Sequence, residues 1–546
     1  MFGNRPWKVA VGATAIALLA TGCSGGGSDE DDANANSIVI GIGEPQHLIP
    51  SNATETSGAQ VLASLFYPLV DFDAQNKPVE VAAESITSDD NKTWTVKLKP
   101  GFTFSNGEAV TADSYINAWN YGAYGPNGQG ASYFFERIEG YADLQSEDPD
   151  GADGPQKAPE PKAKTLTGLK KVDDTTFTVA LAAPFAGWES VMGYTAFFPL
   201  PAAAFSAPGV IADGFEDAIV GNGPFKMKGT WQHDSQIEVE KVDGFKGTVP
   251  KVDGINFKIY QDQKAEYADL TAGNVDVQTS IPIESLAAAP GDLGDRFQKS
   301  PSSTFQFVGF PTFQQDFKKV EIRRALSMAI NREEITNQIF LGSQTPANGF
   351  VSPAVAGYRP EGACGDNCKY NPTEAAKLWK DNTGPAKVQI TYNADGGHKA
   401  WVDATCNQIE KSIPGVDCEG VGEPKFADLL TKVEKKQPVG LIRLGWVMDY
   451  PLMENYLGPL YGTGGSSNYY GYSNPTFDNL VAEGSKAATT EEAIAKWQQA
   501  EDILAKDVPV IPLRFGQNVY GFSEKVKNVK VDTQTRVDIY NIEVAS

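Results

Sequence analysis

Strand-like and helix-like segments alternate along most of this 546-residue chain, and that alternation restricts the possible folds more than any other feature of the sequence. Residues 94–98 (WTVKL) alternate apolar and polar side chains with the period of two that is typical of a strand. Residues 320–330 (VEIRRALSMAI) instead repeat apolar side chains at the spacing of one helix face. Because both patterns recur in turn, the sequence predicts the α/β class, and its length predicts two or three domains.

The first 36 residues have the composition of a targeting segment and a linker rather than of a folded domain. An apolar run over 9–20 follows two basic residues and has the length of a signal-peptide core, which is short for a transmembrane helix. The run leads into Ala-Thr-Gly-Cys, ending at Cys23, which resembles the lipobox of bacterial lipoproteins. We therefore predict a signal peptide over 1–22, lipidation of Cys23 and a flexible tether over 23–36.

This N-terminus predicts a lipid-anchored protein on the extracytoplasmic face of the cell membrane, with the membrane contacted through the lipid on Cys23. The alternative is an ordinary secretory peptide with an incidental cysteine. The rest of the sequence contains no other long apolar segment, so we expect it to be soluble.

The other cysteines are Cys364, Cys368, Cys406 and Cys418. An even number of cysteines in an exported chain favours disulfides. Proximity in the sequence favours the pairs Cys364–Cys368 and Cys406–Cys418, although three pairings are possible. The alternative, a zinc site, is disfavoured because the spacing does not match a zinc ribbon. We expect no metal site.

Charge and motif content exclude several classes of function. The formal net charge of −23 leaves no basic surplus for phosphate contacts, which argues against a nucleic-acid partner. Beyond the predicted tether, the motifs GxSxG, HExxH, GxxxxGK[ST] and GxGxxG are absent, and the chain has three histidines. The sequence therefore indicates no catalytic residue and no cofactor, and we expect a protein that is not an enzyme.

The order of several motifs along the chain is more informative than any one of them. Residues 94–120 (WTVKLKPGFTFSNGEAVTADSYINAWN) resemble the signature of extracellular solute-binding proteins of family 5, the oligopeptide- and dipeptide-binding lipoproteins of ABC importers. Residues 221–228 (GNGPFKMK), 318–335 (KKVEIRRALSMAINREEI) and 508–515 (VPVIPLRF) resemble later landmarks of that family, in its order. The resemblance covers 37–546 and departs from the family pattern at KVDGFKG, where Asn-Pro and Tyr-Trp are usual.

The resemblance implies an α/β, two-lobed, periplasmic-binding-protein-like clamp of the large type II form, with an extra domain inserted in lobe I. The implied boundaries are 37–66, 190–285 and 515–546 for lobe I, 67–189 for the inserted domain, and 286–514 for lobe II. It further implies a monomer that captures short peptides by closure of the lobes and delivers them to the permease subunits of an ABC transporter.

The segment RLGWVMDYP, which starts at Arg443, closely resembles the family's peptide-reading strand. On that resemblance, the Asp449 carboxylate binds the α-ammonium group of the peptide, and Gly445 and Val447 offer backbone groups to its main chain. A glycine at 445 would also let another backbone approach closely. Arg443 and Asp449 would face the same side of a regular strand. Trp446 is a candidate wall of a side-chain pocket.

Residues outside this strand complete the expected site. His398, in YNADGGHK, resembles the family histidine that meets the peptide's C-terminal carboxylate, with Arg443 as a further candidate. The segment Thr54, Glu55 and Thr56 is expected to pair with the peptide through its backbone, and Tyr133 is a second candidate pocket wall.

Structural roles remain open for several of these residues: Asp449 as a turn or cap residue, Arg443 as a salt-bridge partner, His398 as an exposed loop residue and Trp446 as plain core. Other functions also remain open. The same clamp would suit an oligosaccharide or a metal complex, or a peptide-sensing surface receptor. A surface peptidase would need a nucleophile or a metal that the motifs do not reveal.

Overall fold

A computed structural model of the protein describes residues 36–73, 76–146, 157–394, 397–424, 426–437 and 439–545. The predicted signal peptide, the lipidation site Cys23 and nearly all of the predicted tether lie outside the described residues. Within the described residues, no helix is both long enough and apolar enough to cross a bilayer.

The strands of the first half of the chain have the following bounds: β1 Ser37–Ile42, β2 Val70–Phe72, β3 Pro78–Glu80, β4 Ala83–Thr87, β5 Thr93–Leu98, β6 Leu169–Lys171, β7 Thr176–Ala180, β8 Phe205–Ala207, β9 Val210–Ile211, β10 Phe225–Met227, β11 Gln236–Lys241, β12 Gly254–Ile259 and β13 Val277–Gln278. Those of the second half are β14 Phe297–Gly309, β15 Gln344–Pro346, β16 Lys387–Asn393, β17 Asp417–Glu423, β18 Leu441–Trp446, β19 Val510–Phe522, β20 Val526–Lys527 and β21 Glu543–Val544.

The α-helices have the following bounds: α1 Thr56–Leu65, α2 Ala112–Ala123, α3 Trp188–Val191, α4 Gln263–Ala272, α5 Ala289–Leu293, α6 Val320–Met328, α7 Arg332–Gln338, α8 Pro372–Asp381, α9 Lys399–Ser412, α10 Phe426–Glu434, α11 Glu454–Tyr461, α12 Pro475–Ser485 and α13 Thr490–Asp507. Polar caps fix several helix starts, as when the Asn371 side chain accepts a hydrogen bond from the Glu374 amide ahead of Pro372. The α/β class predicted from the alternating patterns is confirmed.

One large mixed sheet dominates the fold. Among the described residues, eleven strands form this sheet, in the order β10-β11-β12-β1-β13-β19-β14-β18-β16-β17, with β15 also paired to β19. Strand β1 runs parallel to β12 and β13, and β16 runs parallel to β17 and β18. The sheet therefore has a parallel part near each end, joined through antiparallel pairs in the middle.

Two long strands make that central connection. Strands β14 and β19, of 13 residues each, pair on both sides of a gap between Pro301 and Phe305, where the register shifts, and the register shifts again between Gln306 and Phe307. The early half of β14 pairs only with β19, whereas its later half lies between β19 and β18. A paired ribbon interrupted by an irregularity is suited to bending at that point, because the ladder is locally disrupted there.

A separate sheet lies early in the chain. Strands β4, β5, β7 and β6 pair in that order, and α2 packs beside β6. Helix α2 begins with a capping box at Thr111, in which Ser114 supplies the reciprocal side chain. This sheet is built entirely from residues within the segment that we expect to be an inserted domain.

The two sequence motifs quoted first for the family resemblance touch each other in space. The amide of Ser105, in the first motif, donates to the carbonyl of Gly221, in the second, at 2.9 Å. The Gly223 amide donates to Leu65 at the end of α1 at 2.8 Å. The Asn222 side chain, 1% exposed, binds both the amide and the carbonyl of Tyr67. The GNG segment therefore clamps the C-terminus of α1.

Two disulfides join Cys364 to Cys368 and Cys406 to Cys418, which confirms the pairing favoured by proximity. The second disulfide links α9 to β17. Its two half-cystines are buried in an apolar cluster that packs α6, α8 and α9 against β16.

Candidate ligand-binding cleft

Asp449 lies just beyond the end of β18, where Asn455 of α11 holds it in place. The Asp449 amide donates to Asn455 Oδ1 at 2.8 Å, and Asn455 Nδ2 donates to Asp449 Oδ2 at 2.9 Å. Trp446 Nε1 donates to the same Asn455 Oδ1 at 3.3 Å. The strand ends at Trp446, so the shared face that we predicted for Arg443 and Asp449 does not follow from strand alternation. Tertiary hydrogen bonds orient the carboxylate instead.

In the described part of the chain, no cationic side chain balances the charge of the Asp449 carboxylate. Burial raises the pKa of Asp449 to about 6, although hydrogen bonds from Asn455 and from the Tyr133 hydroxyl, at 3.4 Å, act in the opposite direction. Among the described residues, no basic side chain forms an ion pair with it. A half-buried carboxylate without an ion-pair partner is suited to bind a cationic group of a ligand.

A cavity of about 670 Å³ opens in front of Asp449. Its aromatic lining consists of Tyr133, Phe134, Trp446, Tyr450 and Tyr469. Tyr133 is 46% exposed although it is large and apolar in part. Exposed aromatic walls around a polar anchor are typical of a site that waits for a ligand.

A second acid in the same cavity is already neutralised. Glu454, which is 5% exposed, accepts a hydrogen bond from Arg137 Nη2 at 2.8 Å and another from the Tyr450 hydroxyl at 2.6 Å. Arg137 also lies over the Phe185 ring, 4.2 Å from its centroid. Because Glu454 is already paired within the protein, Asp449 is the better placed of these two acids to bind a cationic ligand group.

The strand that leads to Asp449 has an open edge. Strand β18 pairs with β14 from Ile442 to Trp446 on one side. On its other side β16 pairs with it only through Leu441 and Ile442. From Arg443 onwards, no described strand covers that second edge. Its backbone groups can therefore receive an extended peptide as an added strand.

Gly445 and Val447 lie along this edge, and Val447 is 53% exposed. The structure explains the glycine at position 445 differently from the prediction, which was that a ligand backbone approaches there. A Cβ on Gly445 would lie 2.7 Å from Nε2 of Gln306, on the neighbouring strand β14. The glycine makes room for the Gln306 amide, which in turn accepts a hydrogen bond from Arg443 Nη2 at 2.7 Å.

The Thr54–Thr56 segment forms the start of α1. Thr54 and Thr56 are exposed, whereas the Glu55 carboxylate caps the helix by accepting from the amides of Ser57 and Gly58 at 2.6 and 2.7 Å. The Glu55 side chain is therefore occupied, which agrees with a role for this segment through its backbone.

The structure brings this segment close to Tyr133. Just before Thr54, the Asn52 side chain accepts from the Gly130 amide at 2.8 Å, and the Ser51 carbonyl accepts from the Ala131 amide at 3.0 Å. Tyr133, two residues further on, reaches Asp449. The Thr54–Thr56 segment therefore lies near the loop that carries Tyr133, which contacts Asp449.

Arg443, which we predicted as a partner of the peptide's C-terminal carboxylate, lies in a positively charged region. Arg443 donates to Asn393 Oδ1 at 3.2 Å as well as to Gln306, and both acceptors are neutral amides. Nearby Arg514 is 3% exposed, and burial together with the charge of Arg443 lowers its pKa to about 9. Positive charge is therefore concentrated at this end of β18.

His398 stands at the start of α9 and is 8% exposed, so it is not the exposed loop histidine of the structural alternative. Its Nδ1 accepts a hydrogen bond from Trp401 Nε1 at 3.1 Å. The Trp401 ring also lies 4.6 Å from the Arg514 guanidinium. The two predicted carboxylate partners, His398 and Arg443, therefore adjoin one cationic region.

Sequence reasoning missed Asn455 and Gln306, which orient Asp449 and Arg443 respectively. Each is one of many amides in the chain. Asn455 is six residues beyond Asp449 but lies on helix α11 rather than on β18, so strand alternation does not connect the two residues. No local signal distinguishes them, because their roles arise from contacts between different elements.

The chain is similar to known bacterial solute-binding proteins. The family model "Bacterial extracellular solute-binding proteins, family 5 Middle" matches residues 77–468. The dipeptide-binding protein DppE of Bacillus subtilis is 27% identical over 512 residues, which cover 89% of this chain and 88% of that protein. The oligopeptide-binding protein OppA of the same organism is 25% identical over 549 residues, covering 96% and 97% of the two chains.

A solved structure gives the same result for the fold. MppA of Escherichia coli, a periplasmic murein tripeptide-binding protein, matches in its unliganded open form with a TM-score of 0.77 and 21% identity. The match covers 93% of this chain and 97% of that chain. At this identity the likeness establishes the fold, which is that of the two-lobed α/β periplasmic peptide-binding proteins, as predicted.

Proposed function

This chain belongs to the bacterial extracellular solute-binding proteins of family 5, and from that membership we propose that it captures short peptides and delivers them to an ABC transporter permease. The observation that carries the proposal is the half-buried Asp449 carboxylate, which has no ion-pair partner among the described residues, at the end of a strand with an open edge. DppE and OppA, whose names describe dipeptide and oligopeptide binding, support peptide as the ligand class.

In the proposed complex, the peptide lies extended along the open edge of β18. Its α-ammonium group pairs with Asp449, and its main chain pairs with Gly445 and Val447 on one side and with Thr54–Thr56 on the other. Trp446 and Tyr133 flank its first side chain.

The proposed partner of the peptide's C-terminal carboxylate is Arg443, with His398 beside it. A guanidinium group binds a carboxylate through two parallel hydrogen bonds, which provides both affinity and orientation. The distance between Asp449 and this cationic end in the closed state would then set peptide length.

Closure of the clamp is proposed to occur about the irregular middle of β14 and β19. We propose the domain boundaries implied by the family: lobe I at 37–66, 190–285 and 515–546, the inserted domain at 67–189, and lobe II at 286–514. A lipid on Cys23, followed by the tether, would keep a monomeric protein at the membrane near its permease.

Native mass spectrometry of gently purified protein that lacks residues 1–23 tests the ligand class. We expect added masses that fit short peptides, because a closed clamp retains ligand during purification. Denaturing the same sample should release peptides that can be sequenced. A single non-peptide mass, such as a saccharide or a metal complex, would contradict peptide capture and retain only the clamp.

Binding of a free-amine peptide is expected to be strongest between about pH 6 and 8. Asp449, with a pKa near 6, must lose its proton to pair with the ligand, so the dissociation constant should rise about tenfold for each pH unit below 6. Above about pH 8 the peptide's α-amino group loses its proton and the pair is lost again. Isothermal titration of trialanine from pH 4.5 to 9 at constant ionic strength measures both limbs.

The expected loss of affinity below pH 6 has its own control. The Asp449→Asn variant should lose the dependence below pH 6, whatever affinity remains. An unchanged affinity of the wild-type protein between pH 7 and pH 5 would contradict the assignment of Asp449 as the ammonium anchor.

A further inference from the structure

A second cavity, of about 350 Å³, lies at the carboxyl ends of β1, β12 and β13. The carboxyl ends of parallel strands are a usual place for ligand sites in α/β proteins. The polar residues on which the inference depends are Thr56, Gln60, Tyr260, Glu266 and Thr535. None of the described residues that line the cavity is basic.

Glu266, on α4, is the acid of this cavity and is 6% exposed. It packs directly against Gly41 of β1, where a Cβ would overlap its carboxylate oxygen. Within the described residues it has no ion-pair partner. Burial raises the pKa of Glu266 to about 7, and a hydrogen bond with Gln278 opposes that shift. A buried carboxyl group in this condition is costly unless a partner arrives.

A second buried side chain of the cavity has a polar atom without a hydrogen-bond partner among the described residues. Gln60, on α1, is 2% exposed, and its Oε1 accepts a hydrogen bond from the Val537 amide at 2.7 Å. Its Nε2 has no hydrogen-bond partner among the described residues. Since buried polar groups are nearly always satisfied in a functional state, this donor points to a ligand that brings an acceptor to the cavity, which a main-chain carbonyl of a peptide supplies and an ammonium group does not.

The cavity adjoins the proposed peptide cleft. Thr56 lines it and also belongs to the segment that is proposed to pair with the peptide backbone. Thr535 lines it as well, and the side chain of the preceding residue, Gln534, donates to the Asp449 carbonyl at 3.4 Å. A side chain of a peptide anchored at Asp449 is therefore positioned to enter it.

We propose that this cavity receives a basic side chain of the bound peptide, with the Glu266 carboxylate pairing to its ammonium or guanidinium group, so that the protein prefers peptides containing lysine or arginine. The inference rests on the proposed peptide-binding function. The apolar stem of lysine fits a cavity floor made by the β1 backbone, and its three N–H donors match Glu266 and the neighbouring hydroxyl oxygens. An acidic side chain would meet Glu266 unfavourably.

The test is isothermal titration with trialanine and with two tripeptide series, in which lysine or its uncharged analogue norleucine replaces each alanine in turn. At one position the lysine peptide should bind about tenfold tighter than the norleucine peptide, the effect of one hydrogen-bonded charge pair. In Glu266→Gln that preference should disappear while trialanine affinity is unchanged. Glu284→Gln, which removes an exposed carboxylate outside the cavity, should keep the preference.

Proton release by the wild-type protein provides a second readout that needs no variant. Pairing with lysine should ionise Glu266, so titration at pH 7 in buffers of different ionisation enthalpy should reveal proton release with the lysine peptide and none with norleucine. The other titratable lining residue, Tyr260, donates to Asp269 at 2.5 Å, and Lys258 donates to the same carboxylate at 2.8 Å. Among the described residues, no charged group on β1, α1 or β13 contributes to the raised pKa of Glu266.

Two outcomes would overturn the inference alone: trialanine binding with equal affinities for lysine and norleucine peptides at every position, or a lysine preference that survives in Glu266→Gln. Failure of trialanine and of all the substituted tripeptides to bind would instead overturn the proposed peptide function and this inference with it.

Discussion

Replacing Asp449 with asparagine is expected to weaken the binding of trialanine by about 30-fold to several thousand-fold. Loss of one partner of a buried ion pair costs about 2–5 kcal/mol, and each 1.4 kcal/mol is a factor of ten in affinity. Asparagine keeps the shape of aspartate and can still bond to Asn455. The loss would therefore report the missing charge rather than a collapsed site. Isothermal titration at pH 7 measures it.

N-acetyl-trialanine isolates the interaction further. It should bind wild-type protein about as weakly as the free peptide binds Asp449→Asn, and the variant should no longer distinguish the two peptides. Glu136→Gln is the matched control, since Glu136 is exposed in the same cavity and its removal deletes the same charge. Equal binding of free and acetylated trialanine by the wild-type protein would show that Asp449 is not the ammonium anchor.

The Asp449→Asn variant should also be at least as stable as the wild-type protein. The folded pKa near 6 is above the value of about 3.9 for an unfolded aspartate, so ionisation opposes folding. That cost grows as pH rises from about 4 to 6 and is fully present above pH 6. Lost binding with an unchanged or higher melting temperature at pH 7 would separate a functional residue from a structural one.

Replacing Gly221 with alanine is expected to destabilise the fold by about 4 kcal/mol or to prevent folding. A Cβ on Gly221 would lie 2.7 Å from the carbonyl carbon of Leu65 and closer still to its oxygen. That obstacle is main chain at the end of α1, so no side-chain rotation can relieve the overlap. The denaturation midpoint in urea, followed by circular dichroism, measures the loss.

Gly291→Ala is the control for this prediction. Gly291 lies in α5, and a Cβ there would meet no atom within 4 Å. Alanine should therefore be neutral or slightly stabilising at that position. A Gly221→Ala variant that unfolds at the wild-type midpoint would show that the GNG segment does not clamp α1 as tightly as the structure indicates.

Local sequence motifs predicted much of the fold and several candidate residues of the site. The segments WTVKL and VEIRRALSM fold as the predicted strand β5 and helix α6, because alternation and helical spacing each select one buried face. The GNG segment and the RLGW strand were recognisable because backbone contacts at those positions limit which residue types fit. The segment RLGWVMDYP also made Asp449 and Arg443 candidate ligand contacts.

The sequence did not reveal why particular residue types occupy some positions of the candidate site. Gly445 was expected to admit a ligand backbone, whereas Gln306 of the adjacent strand fills the space beside it. Register between β14 and β18 decides that contact, and register is set by pairing across the sheet. His398 likewise turned out to be buried against Trp401, which the Gly-Gly sequence before it did not indicate.

By itself, the sequence determined the α/β class and the family and favoured the observed disulfide pairs, since each depends on patterns or residue types that lie close together along the chain. Only the tertiary structure decided that Asn455 orients Asp449, that the edge of β18 stays open beyond Ile442, and that Glu266 shares a cavity with Gln60. Those contacts join residues from separate elements, and in the last case residues about 200 positions apart. Local side-chain periodicity fixes which face of an element is buried, but the partner that covers that face depends on how the whole chain packs.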